Sequence, residues 1–247
     1  MNFTGEPIQQ PSQAKRSGPL RVIKFGGSML LRENLIADVR RTIATVQTNR
    51  PMGGQCLVIF GGGQLIDAMR GLCRQSERFG FSPPMSDVHW SCVELLDQTY
   101  RFAKTWFPDW DTVETEIDFD RIVPAATTTK PSSPNRTTPA AITTPAAITT
   151  TDNCVLVRPA AIYRPSDRVS LPHDWQTTTD AIAVWLAIRS GATDCTLVKS
   201  CDVPADASVD QLAEIGVIDT ATPRIARRFA GTIDIRTVDA ACINTND

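Results

Sequence analysis

Histidine is almost missing from this chain, which has only His89 and His173. Two histidines, and seven cysteines with no CxxC pair among them, leave little material for a zinc site. The cysteine number is odd (Cys56, Cys73, Cys92, Cys154, Cys195, Cys201 and Cys242), which argues against a disulfide framework. Cys56, Cys154 and Cys195 fall in apolar runs, so reduced, buried thiols in a cytoplasmic protein are expected. An excess of one charge is missing too. With 25 basic and 27 acidic residues the net charge is −2, and nothing draws the chain to nucleic acid or to an anionic membrane. No apolar run approaches the roughly 20 residues that span a bilayer. The first 19 residues are polar, lack the apolar stretch of a secretory signal, and read as a disordered lead-in. A Walker A loop is also absent, because no Gly-Lys-[Ser/Thr] follows a glycine at the required spacing.

What is present is a set of glycine-bearing turns at the ends of apolar runs. Arg21–Phe25 reads as a short buried strand that runs into Gly26-Gly27-Ser28. Glycine lets the backbone approach an anion with its N–H groups free, and Lys24 adds a compact positive charge beside them. A second apolar run, Cys56–Phe60, ends in Gly61-Gly62-Gly63. Two such turns suggest a site for two anionic groups, a donor and an acceptor. Either turn alone is equally a tight strand end.

The elements alternate. After the first turn, apolar residues at Leu35, Ile36, Val39, Ile43 and Val46 predict a helix over 33–46. After the second, Leu65, Ala68, Met69 and Leu72 predict a helix over 64–75 with one apolar face. Strand–turn–helix twice in succession predicts a parallel α/β sheet. A longer helix follows Pro83-Pro84, with Ser86 as its expected cap and Trp90, Val93, Leu96 and Tyr100 as its apolar stripe. Residues 124–151 are almost wholly Thr, Pro, Ala and Ser, and TTPAAI occurs twice in tandem. This segment reads as a mobile surface insertion that interrupts one sheet. Beyond it come a strand at 154–157, a Thr-capped helix from Ala181 to about Arg189 with Asp180 in its first turn, a strand at 195–198, two weak elements, and a last strand near 232–235.

These pieces, in this order, resemble the amino acid kinase family. The resemblance rests on Lys24-Phe25-Gly26-Gly27-Ser28, on Gly61–Gly63, on Thr178-Thr179-Asp180 before a helix, and on the strand ending in Lys199-Ser200-Cys201-Asp202. It covers residues 20–238 apart from the insertion. It implies a three-layer α/β/α sandwich with a mainly parallel, open central sheet. The half over 20–123 would hold the acceptor and the half over 152–238 would hold ATP. One branch is especially similar, the [5-(aminomethyl)furan-3-yl]methyl phosphate kinases, whose bacterial relatives accompany tetrahydromethanopterin-linked C1 metabolism. The similarity to it lies in His89-Trp90, Asp97-Gln98, Trp175–Ala183 and Val217-Ile218-Asp219.

The resemblance implies phosphoryl transfer from ATP with Mg²⁺, to a small phosphate-bearing acceptor, in a homo-oligomer. Lys24 and Lys199 would be catalytic, with Asp180 orienting them. Gly26, Gly27, Ser28, Ser200 and Asp202 would face the nucleotide phosphates. Gly61, Gly62, Gly63, His89, Trp90, Thr178 and Thr179 would face the acceptor. No residue is expected to ligate a metal directly, since Mg²⁺ would ride on the ATP phosphates. The chain departs from the family in one respect. Many members carry a late Gly-Gly-Met-x-x-Lys segment, and here Gly216-Val217-Ile218-Asp219 stands in roughly that region without a lysine. Two alternatives therefore stay open. One is an amino acid or nucleoside monophosphate kinase, with Arg70 or Arg74 engaging a carboxylate acceptor. The other is a silent nucleotide- or anion-binding or storage protein.

Overall fold

The structure, a computed structural model, describes residues 18–48, 54–123, 153–167 and 169–238. Most of the expected lead-in, and the whole Thr/Pro/Ala segment 124–151, lie outside the described residues.

Six parallel strands form one sheet. In chain order they are β1 (Leu20–Phe25), β2 (Gln55–Phe60), β3 (Asp111–Val113), β4 (Cys154–Val157), β5 (Asp194–Lys199) and β6 (Thr232–Thr237). Their spatial order is β3-β4-β2-β1-β5-β6. Helices α1 (Leu35–Thr48), α2 (Gln64–Arg78), α3 (Met85–Trp106), α4 (Glu116–Ile122), α5 (Pro159–Ile162), α6 (Thr179–Ser190), α7 (Val209–Glu214) and α8 (Thr222–Ala226) connect them. The result is a three-layer α/β/α sandwich. Among the described residues no helix is long and apolar enough to cross a membrane.

Side-chain alternation explains the two cores. Val22, Leu57, Ile59, Val155, Cys195 and Leu197 face one side, where the buried α6 packs on them. Ile23, Phe25, Val58, Phe60, Leu156 and Val198 face the other, against Leu35, Val39 and Ile43 of α1. Period-two alternation then fixes two further side chains. Lys24 follows Val22 by two residues, and Lys199 follows Leu197 by two. Both lysines therefore leave the sheet on the α6 side, at the carboxyl ends of neighbouring strands. In the register, Lys24 pairs with Leu197, which places Lys199 diagonally beyond it. The chain leaves β1 toward β2 and leaves β5 toward β6, so the gap between these strands is the topological switch point where open α/β sheets bind ligands.

Several elements differ from the sequence expectation. Helix α3 starts at Met85, and Pro84, not Ser86, stands at its cap. The Pro84 carbonyl accepts from Asp87 N and Val88 N, while Ser86 Oγ bonds to the Asp87 carboxylate. Trp90 is only half-buried on the α3 stripe. The apolar face foreseen on α2 exists but points largely to solvent. Leu65 and Leu72 are 41% and 63% exposed, and Cys73 is the one buried residue of the helix. Strand β3 and helix α4, which the sequence reading left out, complete one edge. At the end of α6, Gly191 adopts a left-handed conformation (φ 65°), as expected of a glycine stop.

The two glycine turns pack directly on each other. A Cβ added to Gly27 would lie 1.9 Å from Gly63 N, and one on Gly61 would lie 2.7 Å from Gly27 N. Gly63 also has φ 53°, a region that favours glycine. Gly27→Ala is expected to cost about 3 kcal/mol in urea denaturation, because backbone must move to admit the methyl group. Gly71→Ala, where nothing lies nearer than an Arg74 side-chain nitrogen at 4.0 Å, is expected to stabilise α2 by about 0.5–1 kcal/mol.

Candidate active site

The site begins with one carboxylate. Asp180 sits in the first turn of α6, directly over the ends of β1 and β5. Its Oδ1 accepts from Lys24 Nζ at 2.8 Å and its Oδ2 from Lys199 Nζ at 2.6 Å. The lysine side chains are only 5% and 10% exposed, and Asp180 is buried with them. Burial works to raise the Asp180 pKa, but the charges of Lys24 and Lys199 and their hydrogen bonds outweigh it and hold the carboxyl below its ordinary value. Lys199 moves the other way for an ammonium. Burial, and next the charge of Lys24, lower its pKa against the pull of Asp180.

A second carboxylate fixes the first. Asp219 Oδ2 accepts from Thr178 N and Thr178 Oγ1, both at 2.7 Å, and from Ala181 N at 3.2 Å. Asp219 Oδ1 accepts from Thr222 N and Thr222 Oγ1, again at 2.7 Å. Thr178 is the cap of α6, its hydroxyl oxygen taking the Asp180 N–H at 3.3 Å. Burial, and next the neighbouring Asp180, raise the Asp219 pKa above its ordinary value, against the donors from Thr222 and Thr178.

A cavity of about 250 Å³ has Thr178 and Thr179, the two residues before Asp180, in its wall, while Lys24, Asp180 and Lys199 themselves are not among its lining residues. Gly27, Ser28, Gly62 and Gly63 form a polar, largely backbone wall, with Thr178 and Thr179 alongside. Ile66, Val93, Leu96 and Ile182 give it an apolar lining, and Asp67, Arg70, Asp174, Trp175 and His89 close the outer part. Arg70 bonds Asp67 at 2.9 Å and its guanidinium stands 5.1 Å over the Trp175 ring. His89 is buried. Its ring nitrogens lie 3.0 Å from the Tyr163 hydroxyl and 3.2 Å from the Asp174 carbonyl, and its ring stacks on His173 at 5.5 Å. Burial lowers its pKa, so the ring is neutral at pH 7.

The residues singled out from the sequence are placed unevenly. Lys24, Asp180 and Lys199 meet through hydrogen bonds. Gly27, Ser28, Gly62, Gly63, His89, Thr178 and Thr179 line the cavity. Gly26 and Gly61 stand behind the wall and join the turns to the sheet, through Gly26 N to Val198 O and Gly61 N to Phe25 O, both 2.9 Å. Ser200 is exposed, and its Oγ lies 2.5 Å from Ser28 Oγ. Trp90 is not in the cavity wall; it packs behind His89 against Tyr163 and His173. Asp202 lies on the exposed loop after β5, away from the cavity. Of the two arginines considered for a carboxylate acceptor, Arg70 lines the cavity and Arg74 does not. Asp219, Tyr163, Asp174 and Trp175 were not foreseen as site residues. In the sequence Asp219 stands out only within the matched Val217-Ile218-Asp219 segment, where a late lysine is sought, and not as a site residue.

No family model and no curated protein matches the chain. Solved structures do. An aspartate kinase from Synechocystis is 15% identical with a TM-score of 0.55, over 90% of this chain and 38% of that one. The chain thus spans well under half of that enzyme. A uridylate kinase from Archaeoglobus fulgidus is 15% identical (TM-score 0.51, 89% and 91% of the two chains). A UMP kinase from Ureaplasma parvum is 10% identical (TM-score 0.55, 91% and 92%). These likenesses show the fold, the open α/β/α sandwich of amino acid kinases.

Two outcomes follow from the buried charges. Asp180→Asn strands two buried ammonium groups and is expected to cost roughly 3–5 kcal/mol in equilibrium unfolding. A carboxyl held below its unfolded value contributes stability above about pH 4 and loses it as pH falls through the folded value, so this variant should also flatten the acid limb of the stability curve. His89, with its folded pKa below 6.5, keeps its full contribution above that pH and loses it on acidification. The melting temperature should therefore fall between about pH 7 and 5 more steeply in the wild type than in His89→Gln.

Proposed function

We propose that the chain is an ATP-dependent kinase of a small anionic acceptor, a phosphate monoester of the [5-(aminomethyl)furan-3-yl]methyl phosphate type. The observation that carries this reading is the Lys24–Asp180–Lys199 group seated beside two touching glycine turns. Phosphoryl transfer calls for alignment and charge neutralisation more than for covalent chemistry. Lys24 and Lys199 supply two ammonium groups at the switch point. Gly26, Gly27 and Ser28 offer donors on the nucleotide side, with Ser200 against Ser28. Gly63 starts α2 and turns that helix N-terminus toward the acceptor. An ionised phosphate acceptor requires no general base, and the neutral, hydrogen-bonded His89 fits a shaping role.

The residues fit the ATP phosphates at this place, since Gly27, Ser28, Gly62 and Gly63 line the cavity with backbone and a hydroxyl and with no bulky side chain. When bound, ATP supplies the phosphoryl group, and Mg²⁺ neutralises its oxygens. Mg²⁺ would arrive on the ATP phosphates, with few protein ligands. The outer cavity suits a small ring bearing an amine, between Trp175 and the carboxylates of Asp67 and Asp174. The proposal includes a cytoplasmic homo-oligomer, in keeping with the buried free thiols of Cys56, Cys73, Cys154 and Cys195.

One observation favours a second reading. Arg70 stands in the cavity wall, and two of the neighbours in fold are named for UMP or uridylate. A nucleoside monophosphate acceptor would use that guanidinium. The test is ADP release from ATP and Mg²⁺ with a panel of acceptors: the aminomethylfuran phosphate, UMP, aspartate and glutamate. The first is expected to turn over; turnover of UMP alone would transfer the assignment to the second reading. Lys24→Ala is expected to lower kcat at least 1,000-fold, since a loss of about 4 kcal/mol of charge stabilisation corresponds to that factor. Activity retained in a folded Lys24→Ala protein would remove Lys24 from the mechanism.

A further inference from the structure

We infer that Asp219 is the positioning residue of the phosphoryl-transfer site: its carboxylate clamps the start of α6 and thereby orients Asp180 between Lys24 and Lys199. The inference rests on the kinase reading above and extends it to a residue 39 positions from Asp180 in sequence.

All five partners of Asp219 are donors, and they divide between its two oxygens. Oδ2 holds Thr178 N, Thr178 Oγ1 and Ala181 N, the groups that flank Asp180 on either side. Oδ1 holds Thr222 at the start of α8. A backbone bond from Ala221 N to Gln176 O, 3.0 Å long, ties the same two segments a second time. The clamp therefore has two arms, and only one of them touches the turn that carries Asp180.

The charge matters as well as the shape. An asparagine would turn an NH₂ group toward donors on one of its two sides. Asp219 also sits close enough to Asp180 and Lys199 for its charge to act on both. With it ionised, the buried group holds two ammonium and two carboxylate charges. Without it, one carboxylate faces two ammonium groups, and Lys199, already pushed toward its neutral form by burial and by Lys24, loses a supporting negative charge. In the segment where the resembled family carries a lysine, this chain thus supplies a carboxylate that holds the turn bearing Asp180 and adds to the negative charge near Lys199.

The experiment uses the full chain labelled with ¹³C,¹⁵N-lysine, with the Lys24 and Lys199 signals assigned through Lys24→Arg and Lys199→Arg. There are five lysines in all (Lys15, Lys24, Lys104, Lys130 and Lys199), so the spectrum is simple. Asp219→Asn is expected to move the Lys199 titration to lower pH. Thr222→Val cuts a bond on the far arm only. It should lower the melting temperature yet leave the Lys199 titration and kcat where they are. In the kinase assay Asp219→Asn should lower kcat roughly 10- to 100-fold, with KM for ATP within about threefold. An unchanged Lys199 titration in folded Asp219→Asn overturns the inference and leaves Asp219 a structural tie. If that variant does not fold, Thr178→Val carries the test: it keeps the carboxylate and removes one bond of the near arm together with the hydroxyl cap on Asp180 N. Displaced Lys24 and Lys199 signals support the inference, and unmoved signals overturn it. A wild type silent toward every acceptor removes the kinase reading, while the lysine titration still decides whether Asp219 sets the pair.

Discussion

One aspartate shared by two buried lysines is the constraint around which the rest is arranged. Each Lys–Asp contact is worth about 4 kcal/mol at the effective dielectric of a protein, but burying each ion costs several kcal/mol. As a device for stability alone, such a group competes poorly with packed apolar side chains. Its geometry also demands much of the fold. Two neighbouring strands must end with lysines of the same facing, and a helix must start directly over them. The parallel pair flanking the switch point, with α6 on one face, satisfies both conditions. The near-complete burial of α6 gives that helix one seat, so Asp180 cannot drift.

The glycine turns follow from the same requirement. For an anion to approach Lys24 and Lys199, the chain after β1 and β2 must turn away without side chains. The contact between Gly27 and Gly63, too close for a Cβ, shows how little room remains. The sequence pattern presented these turns as two separate cradles. They are one continuous backbone surface, and the cavity opens beside them rather than between them.

That difference marks what could be read from the chain. Lys24, Gly26–Ser28, Gly61–Gly63 and Lys199 were visible because each sits at the end of an apolar run, where local pattern and position in the sheet coincide. Asp180 was visible through its threonine cap. The role of Asp219 was hidden although its segment carried part of the resemblance, because its partners lie 3 residues ahead and about 40 behind. The ring cluster of His89, Trp90, Tyr163 and His173 joins three separated segments, and only tertiary packing brings them together. Helix α2 misled for a different reason. Its apolar spacing is real, but α3 takes the place next to the sheet, and Leu65, Leu72, Phe79 and Phe81 are left substantially exposed. Strand β3 was too short, at three residues, to show an alternation.

Charge arithmetic at the site limits how it can bind anions. With Lys24, Lys199, Asp180 and Asp219 ionised, the buried group is neutral, so net charge alone draws no phosphate to it. Its strength lies in direction. The ammonium groups are held at the strand ends by carboxylates set behind them in α6 and its clamp, and the glycine turns add backbone donors already free of side chains. In the proposed transfer, a preorganised set of this kind would respond to developing charge with little rearrangement. It is also fragile in a particular way. Removing either lysine leaves the buried group net negative, so it would repel an approaching phosphate. The absence of a late lysine then carries a different meaning. A third ammonium in the Asp219 segment would leave the α6 start without its acceptor, and Asp180 would have to balance three cations alone.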